Sequence, residues 1–269
     1  MKVIEIHRIN DFTNHDAIFF TEEGIIVDQF TQSPLINFLS VTKKLSLDLN
    51  AIYLDGHVLI ILCRLSLNAK FTKQFSAYPA KSFLTTIEEN IQKQMLRAIH
   101  WLTWNDRLQY CSKCSDILIK VPDLMEKKCR CCSLSFFPNL SPAVMVLIQR
   151  NHQVLLARSA HFKPGIYSAI AGFIDIGESA EEAVYREVKE EVGIEISKLE
   201  YFGSQSWPFP NSFMIAFKAH YLSGELSINP NEIEDAKWFD IDDLPAIPSY
   251  PSISRKLIDS WRMNIQDII

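Results

Sequence analysis

Two groups of side chains in this 269-residue chain have the types and spacing to do chemistry. The first is Glu187, Glu190 and Glu191, at i, i+3 and i+4 of a stretch with no Gly or Pro from Ala180 to Val192. If that stretch is helical, all three carboxylates project from one face. Like charges at this spacing oppose one another, and an ordinary solvated face would intersperse lysines. Carboxylates converging near a turn suit a hard divalent cation such as Mg²⁺ or Mn²⁺, although charge alone leaves an acidic surface helix open. The second group is Cys111-Ser-Lys-Cys114 and Cys129-Arg-Cys131-Cys132, two Cys-x-x-Cys pairs with 14 residues between the inner cysteines. Closing from the ends of a short hairpin, Cys111, Cys114, Cys129 and Cys132 offer Zn²⁺ a tetrahedron with no open position. Such a site is structural and contributes folding energy to a segment with little core. Cys131, offset by one residue, is left as a neighbouring thiol, and a redox pair is the competing reading.

The carboxylates need a helix with a defined start and stop. Ser179 with Glu182 makes a capping box, so the helix begins near Ala180, and Gly193 is placed to end it in a left-handed conformation. Strands are expected around it at residues 143–148, 154–157 and 213–217. Residues 1 to about 84 read as short strands at 24–27, 51–54 and 58–62, with Asp55-Gly56 a hairpin cue between apolar runs. Residues 85–104 switch to helical period, where Ile87, Ile91, Met95, Ala98 and Leu102 share one face. That helix is either a core-packing element or a linker or dimer element. The expected division is 1–108, an N-terminal α/β domain ending in this helix, then 109–138, the cysteine knuckle, and 139–269, which carries the carboxylates.

Composition excludes several classes. With 48% hydrophobic and 22% charged residues, 8 Gly and 12 Pro, the chain is neither disordered nor collagen-like. A net charge of −5 disfavours a non-specific polyanion binder. Much of that charge is local, since Glu178 to Glu191 holds six acids against Arg186 and Lys189. Lys2, Glu5, Arg8 and Asp11 interrupt any signal-peptide core in residues 1–13. The longest clean apolar run, residues 58–63, is far below the roughly 18 needed to span a bilayer. A soluble cytoplasmic protein is the expectation, and five of the six cysteines clustered within 111–132 then argue for metal rather than disulfides.

The carboxylates lie within Gly172-Phe-Ile-Asp-Ile-Gly177-Glu178, a seven-residue spacer, and Arg186-Glu187-Val188-Lys-Glu190-Glu191-Val-Gly193-Ile194. This segment resembles the Nudix box, Gly-x5-Glu-x7-Arg-Glu-U-x-Glu-Glu-x-Gly-U with U a bulky aliphatic, at every defined position. Seven fixed types at about 6% background each give on the order of 10⁻⁹ per starting position, so chance is excluded. The resemblance implies an α+β protein with a C-terminal Nudix α/β/α sandwich that hydrolyses nucleoside diphosphates linked to another moiety. It implies Glu187 and Glu191 as Mg²⁺ or Mn²⁺ ligands, and Glu190 as a further ligand or the base that activates water. Arg186 and Glu178 would pair to hold loop against helix, with Gly172, Gly177 and Gly193 as scaffold. Metal-assisted attack of water on the pyrophosphate is the implied chemistry.

A second array, Ser204-Gln205-Ser206-Trp207-Pro208-Phe209-Pro210-Asn211-Ser212, is similar to the Ser-Gln-Pro-Trp-Pro-Phe-Pro-x-Ser signature of the NADH pyrophosphatase, or NAD-capped RNA hydrolase, subgroup. Ser206 stands where that subgroup usually has Pro. Two prolines fix the backbone, which suits presenting Trp207 and Phe209 to flat rings; alone, the loop could equally cover the sheet. The subgroup resemblance implies NADH or NAD⁺ as substrate, cleaved to nicotinamide mononucleotide and AMP, and NAD-capped RNA 5′ ends as a further substrate. It brings a four-cysteine zinc ribbon ahead of the Nudix domain, a smaller mixed α/β N-terminal domain, and a homodimer. In the dimer Phe137, usually Tyr, and Phe173 from different subunits would sandwich the nicotinamide. Residues 205–212 would bind substrate, and Glu232 would be a further metal ligand with Glu234 its local competitor. Ala171 and Ser254 align with positions that make contact mainly through backbone, Ala171 beside the metal and Ser254 beside the substrate. Two other functions remain: a Nudix enzyme for ADP-ribose or a dinucleoside polyphosphate, and a nucleic-acid-binding regulator that uses the ribbon and keeps a ligand-sensing Nudix domain. The ribbon's five basic against three acidic residues over 111–132 give the regulator little phosphate affinity.

Overall fold

Short apolar runs alternating between two faces build most of the first of two compact units, Met1–Asn139 and Leu140–Ile269. The protein is described by a computed structural model covering residues 2–4, 11–67, 69–85, 87–121, 124–160 and 162–266. Glu5 and Arg8, part of the case against a signal peptide, lie outside the described residues. Among those described, no helix is long and apolar enough to cross a membrane.

In the first unit the elements are β1 (Lys2–Ile4), β2 (Asp16–Thr21), β3 (Gly24–Asp28), β4 (Ile36–Asn37), α1 (Phe38–Thr42), β5 (Leu47–Asp55), β6 (Val58–Leu65) and β7 (Phe75–Tyr78). They form one sheet in the order β1-β5-β6-β2-β3-β7, with β4 also on β2 and only β2 and β6 parallel. The Asp55-Gly56 turn closes the β5–β6 hairpin, with Gly56 at φ +63° and Asp55 opposite Val58. Cys63 is fully enclosed among Phe19, Ile26, Ile61 and Phe75, and burial pushes its thiol up to about 12. This sixth cysteine is a core side chain.

The expected helix over 85–104 is instead α2, Glu89–Arg107, because residues 80–83 form a separate 3₁₀ turn before it. Ile91, Met95 and Ala98 are buried as their spacing requires, but the buried face then passes to Trp101 and Trp104, leaving Leu102 half-buried. Two indoles in contact at 5.2 Å remove more apolar surface from water than one leucine can. After α2 come β8 (Leu118–Lys120), β9 (Lys127–Cys129) and β10 (Ser135–Phe136), a small sheet in the order β10-β9-β8. Lys127 of β9 is buried and donates to the Asn105 and Leu108 carbonyls, which the end of α2 leaves open. The cysteine segment is thereby fastened to the preceding helix.

The second unit holds β11 (Ser141–Arg150), β12 (Gln153–Ser159), β13 (Ile170–Phe173), α3 (Ala180–Val192), β14 (Glu195–Trp207), β15 (Ser212–Ser223), β16 (Ile233–Asp240) and α4 (Ile253–Gln266). The sheet order is β14-β15-β11-β12-β16, with β13 also on β11 and only β11 and β15 parallel. β11 is buried on both faces. Val144, Val146 and Ile148 pack with Ala183, Val184, Val188 and Val192 of α3. Ala143, Met145 and Leu147 pack on the other side with Ile253, Leu257, Ile258 and Trp261 of α4. Helix, sheet and helix form the expected α/β/α sandwich, and period-two alternation explains why β11 reads as a continuous apolar run. β14 escapes simple strand patterning because three register shifts interrupt its pairing with β15.

Leu257 is fully buried in α4 and Met263 is exposed on it. Leu257→Ala is expected to cost about 2–5 kcal/mol in urea unfolding and Met263→Ala well under 1 kcal/mol. Equal losses would contradict this seating of α4.

Candidate active site

The capping box that starts α3 is fully formed: Ser179 Oγ accepts from Glu182 N at 3.2 Å and Glu182 Oε2 accepts from Ser179 N at 2.8 Å. Gly193 ends the helix at φ +75°. With 3.6 residues per turn, Glu190 and Glu191 fall about 60° to one side and 40° to the other of Glu187. The sheet covers one side of this arc. Glu187 and Glu191 are 8% and 6% exposed, whereas the Glu190 side chain is 53% exposed. The three carboxylates therefore do not converge as a set.

Glu232 converges with the two buried ones. Glu187, Glu191 and Glu232 each offer an oxygen within 4.8 Å of the others. Asn229 brings the chain there: its N–H donates to the Glu191 carbonyl at 2.9 Å, and its own carbonyl accepts from Glu232 N and Ile233 N at 3.1 and 2.9 Å. Glu234, two residues on, is turned to an ion pair with Arg158.

Arg186 ties the cluster to the preceding loop. Its Nε and Nη2 donate to the two Glu178 oxygens at 2.8 and 2.9 Å, and Nη2 also reaches the Phe173 carbonyl at 2.8 Å. Nη1 donates to Glu187 at 2.8 Å and Glu190 at 3.1 Å. The guanidinium bond holds Glu178 below the usual carboxylate range. Gly172, in β13, is needed for space: a Cβ there would lie 1.9 Å from the Glu187 carboxyl carbon. A glycine inside a strand is the signal that could have announced this close approach. Ala171 is its neighbour in β13, opposite Met145 of β11.

Burial pushes Glu187 up despite Arg186, and burial together with Glu187, Glu232 and Glu190 pushes Glu191 up to about 8. Neighbouring buried carboxylates without a cation are costly. Hard, anionic oxygen donors from three chain positions fit Mg²⁺ or Mn²⁺, which would remove both the repulsion and the protonation.

The four cysteines form a second, softer set. Sγ separations are 3.5 Å for Cys111–Cys132, 3.4 Å for Cys114–Cys129 and 3.7 Å for Cys114–Cys132. A tetrahedron with Zn–S arms of 2.3 Å has edges of about 3.8 Å, so the donors fit zinc. The two knuckles repeat one geometry. Ser115 N donates to the Cys111 carbonyl at 2.9 Å and Ser133 N to the Cys129 carbonyl at 3.1 Å, with Ser115 and Ser133 at φ +59° and +57°. Burial would raise the Cys111 thiol, but the backbone around Cys114 and Lys113 outweighs it and draws it down to about 7. Cys131 is exposed.

Residues 139–261 match the NUDIX domain. These residues form a Nudix domain. The chain is 43% identical over 181 residues to the NAD-capped RNA hydrolase NudC of Pseudomonas fluorescens (strain Pf0-1), covering 67% of this chain and 66% of that protein. To the protein of the same name from Pseudomonas aeruginosa (strain LESB58) it is 48% identical over 158 residues, 59% of this chain and 57% of that one. These alignments span less than two thirds of either relative. A crystal structure of a NUDIX hydrolase from Nitrosomonas europaea superimposes with TM-score 0.45 at 22% identity, covering 51% of this chain and 80% of that one.

In the Nudix domain, residues 205–212 form the end of β14, the connection and the start of β15. Trp207 and Phe209 meet edge to face, 5.2 Å between centroids, with Pro208 buried between them in sequence. Ser206 is opposite Phe213 in the β14–β15 ladder, and Pro210 is exposed. Asn211 Nδ2 donates to Ser141 Oγ at 3.1 Å, and Ser212 is buried. Gln205 binds the backbone before α4 with both ends of its amide. Ser254 is buried with its hydroxyl 2.8 Å from that of Ser168, so its side chain is committed inward. Phe173 is 54% exposed in the Nudix domain and Phe137 is 62% exposed in the first unit.

The Glu191 shift has a thermodynamic consequence. Between the usual carboxylate value and about 8 the folded protein keeps a proton that the unfolded chain releases, so stability falls as pH rises through that window. In buffer free of Mg²⁺ and Mn²⁺, wild type should lose denaturant midpoint relative to Glu191→Gln from about pH 5 to about pH 8. Mg²⁺ should suppress the difference by displacing the proton. A wild-type midpoint that rises relative to Glu191→Gln would contradict the shift. At the cysteines, metal analysis should find about one zinc per chain, retained in Cys131→Ser and lost in Cys129→Ser.

Proposed function

We propose that this protein hydrolyses the pyrophosphate bond of NADH or NAD⁺ to nicotinamide mononucleotide and AMP, and removes NAD caps from RNA 5′ ends, leaving a 5′-monophosphate. The observation that carries the reading is the convergence of exposed Glu232 on the buried Glu187 and Glu191 in a domain that also bears the Trp207–Phe209 pair. The names of the Pseudomonas relatives support it.

In this reading Glu187, Glu191 and Glu232 hold the divalent cation, with the Ala171 backbone beside them. Mg²⁺ or Mn²⁺ bound there supplies charge neutralisation of the pyrophosphate and a more acidic water. Glu190 accepts the proton as water attacks phosphorus, and the bond to the bridging oxygen breaks. Its partial exposure, against the burial of Glu187 and Glu191, supports giving it that role. Arg186 bridges Glu187 and Glu190 through one nitrogen and orients both. Trp207 and Phe209 offer aromatic surface to a flat ring, with residues 205–212 shaping the pocket. The cysteine ribbon holds structural Zn²⁺, as its sulfur spacing supports.

The same reading divides the chain at 1–108, 109–138 and 139–269, supported by a separate sheet in each segment. It includes a homodimer in which Phe137 and Phe173 close on nicotinamide, supported by two large exposed rings that otherwise face water. A cytoplasmic location is supported by free, clustered cysteines.

Incubation with NADH and Mg²⁺ or Mn²⁺ should release both mononucleotides, and intact NADH would sink the reading. Faster turnover of ADP-ribose than of NADH would move it to another Nudix substrate. Glu191→Gln should lower kcat by at least about 100-fold with the fold retained by circular dichroism, because it removes a ligand charge from a site whose main work is electrostatic.

A further inference from the structure

Gln205 belongs to the array expected to touch substrate, yet both ends of its carboxamide are already used. Nε2 donates to the Pro251 carbonyl at 2.7 Å, and Oε1 accepts from Ile253 N at 2.8 Å. Ile253 opens α4, and its N–H is one that a helix start leaves without an intrahelical partner. Gln205 thus spans the chain's entry into α4 with a two-point clamp.

The clamp is aimed along the ring array. The β14–β15 register is regular here, with Gln205 opposite Met214 and Trp207 opposite Ser212. Residues two apart on a strand share a face, so Gln205 and Trp207 point to the same side. That side is the α4 side: Trp207 packs against the cluster that contains Met214 together with Ile253, Leu257 and Trp261 of α4. A second fastening lies next to the first, where Ser254 Oγ meets Ser168 Oγ at 2.8 Å and accepts from Ala169 N at 3.4 Å. Trp207 and the first turn of α4 therefore meet in one apolar cluster, and Gln205 ties that turn to the strand carrying Trp207.

Resting on the reading of NADH as substrate, we propose that Gln205 is a positioning residue. It fixes the start of α4 against β14 so that Trp207 is held for ring binding, and it does not itself contact the substrate. Its effect on catalysis passes through Trp207.

A double-mutant cycle on the full-length protein with Mg²⁺ tests this. Trp207→Ala should raise KM for NADH by about 5- to 100-fold, the range of a lost stacking contact, with kcat within about threefold. Gln205→Ala should raise KM in the same direction. The double variant should match Trp207→Ala within about twofold, because a residue acting through Trp207 has nothing left to position. Fold-changes that multiply would overturn the proposal and make Gln205 a direct contact. An unchanged KM in Gln205→Ala would overturn it too. Gln205→Glu, which keeps the acceptor for Ile253 N–H, serves if the alanine variant does not fold. It should show a smaller KM rise than Trp207→Ala and the same non-additivity.

Hydrogen exchange provides a readout independent of turnover. Amides at the start of α4 should exchange faster in Gln205→Ala than in wild type, with those near Trp261 unchanged, and equal protection would reject the clamp. A wild type that leaves NADH intact would reject the substrate reading while this exchange result still decided the clamp.

Discussion

Glu187 and Glu191 lose most of their water when α3 seats on the sheet, and that desolvation governs the rest of the domain. An isolated pair of buried carboxylates is unstable as charge, so it must be protonated, paired or metallated. The domain supplies parts of each answer. Arg186 pairs Glu187, Glu191 is shifted towards protonation, and Glu232 completes an oxygen set suited to a cation. Stability withheld in the cation-free protein becomes binding free energy when the cation arrives.

The surrounding scaffold follows from holding that cluster. A helix with a complete capping box and a left-handed terminator has a fixed length and phase, so only two of its three relevant carboxylates can face inward. Gly172 lets β13 run against Glu187, and Arg186 bridges loop and helix through Glu178 and the Phe173 carbonyl. On the opposite face of the sheet α4 is fastened by Gln205 and Ser254, beside the apolar cluster against which Trp207 packs. The sheet, whose central strand β11 is buried on both faces, thus carries a polar cluster on one side and an aromatic one on the other.

The cysteine segment solves a different problem with different ligands. It has few buried side chains of its own, chiefly Cys111, Leu118 and Cys129. Sulfur donors at tetrahedral spacing replace the missing core, and Lys127 joins the segment to the end of α2. A soft sulfur set and a hard carboxylate set suit different metal ions in one chain.

The sequence by itself determined most of what is local. The Ser179–Glu182 cap, the Gly193 stop, the shared arc of Glu187, Glu190 and Glu191, the cysteine pairs and the Asp55-Gly56 turn depend on neighbours within a few residues, where chain periodicity leaves few choices. It also contained the continuous apolar run of β11, and a strand apolar on both faces demands cover on both. Only the tertiary structure decided which distant groups meet. Glu232 rather than Glu234 joins the cluster because the Asn229 turn caps the last carbonyls of α3 while Arg158 holds Glu234. Gln205 finds its partners 46 and 48 residues away, so no spacing could reveal that its amide is already committed. Leu102 yields to Trp101 and Trp104 for the same reason: a helix presents several faces, and the area buried by a partner chooses among them.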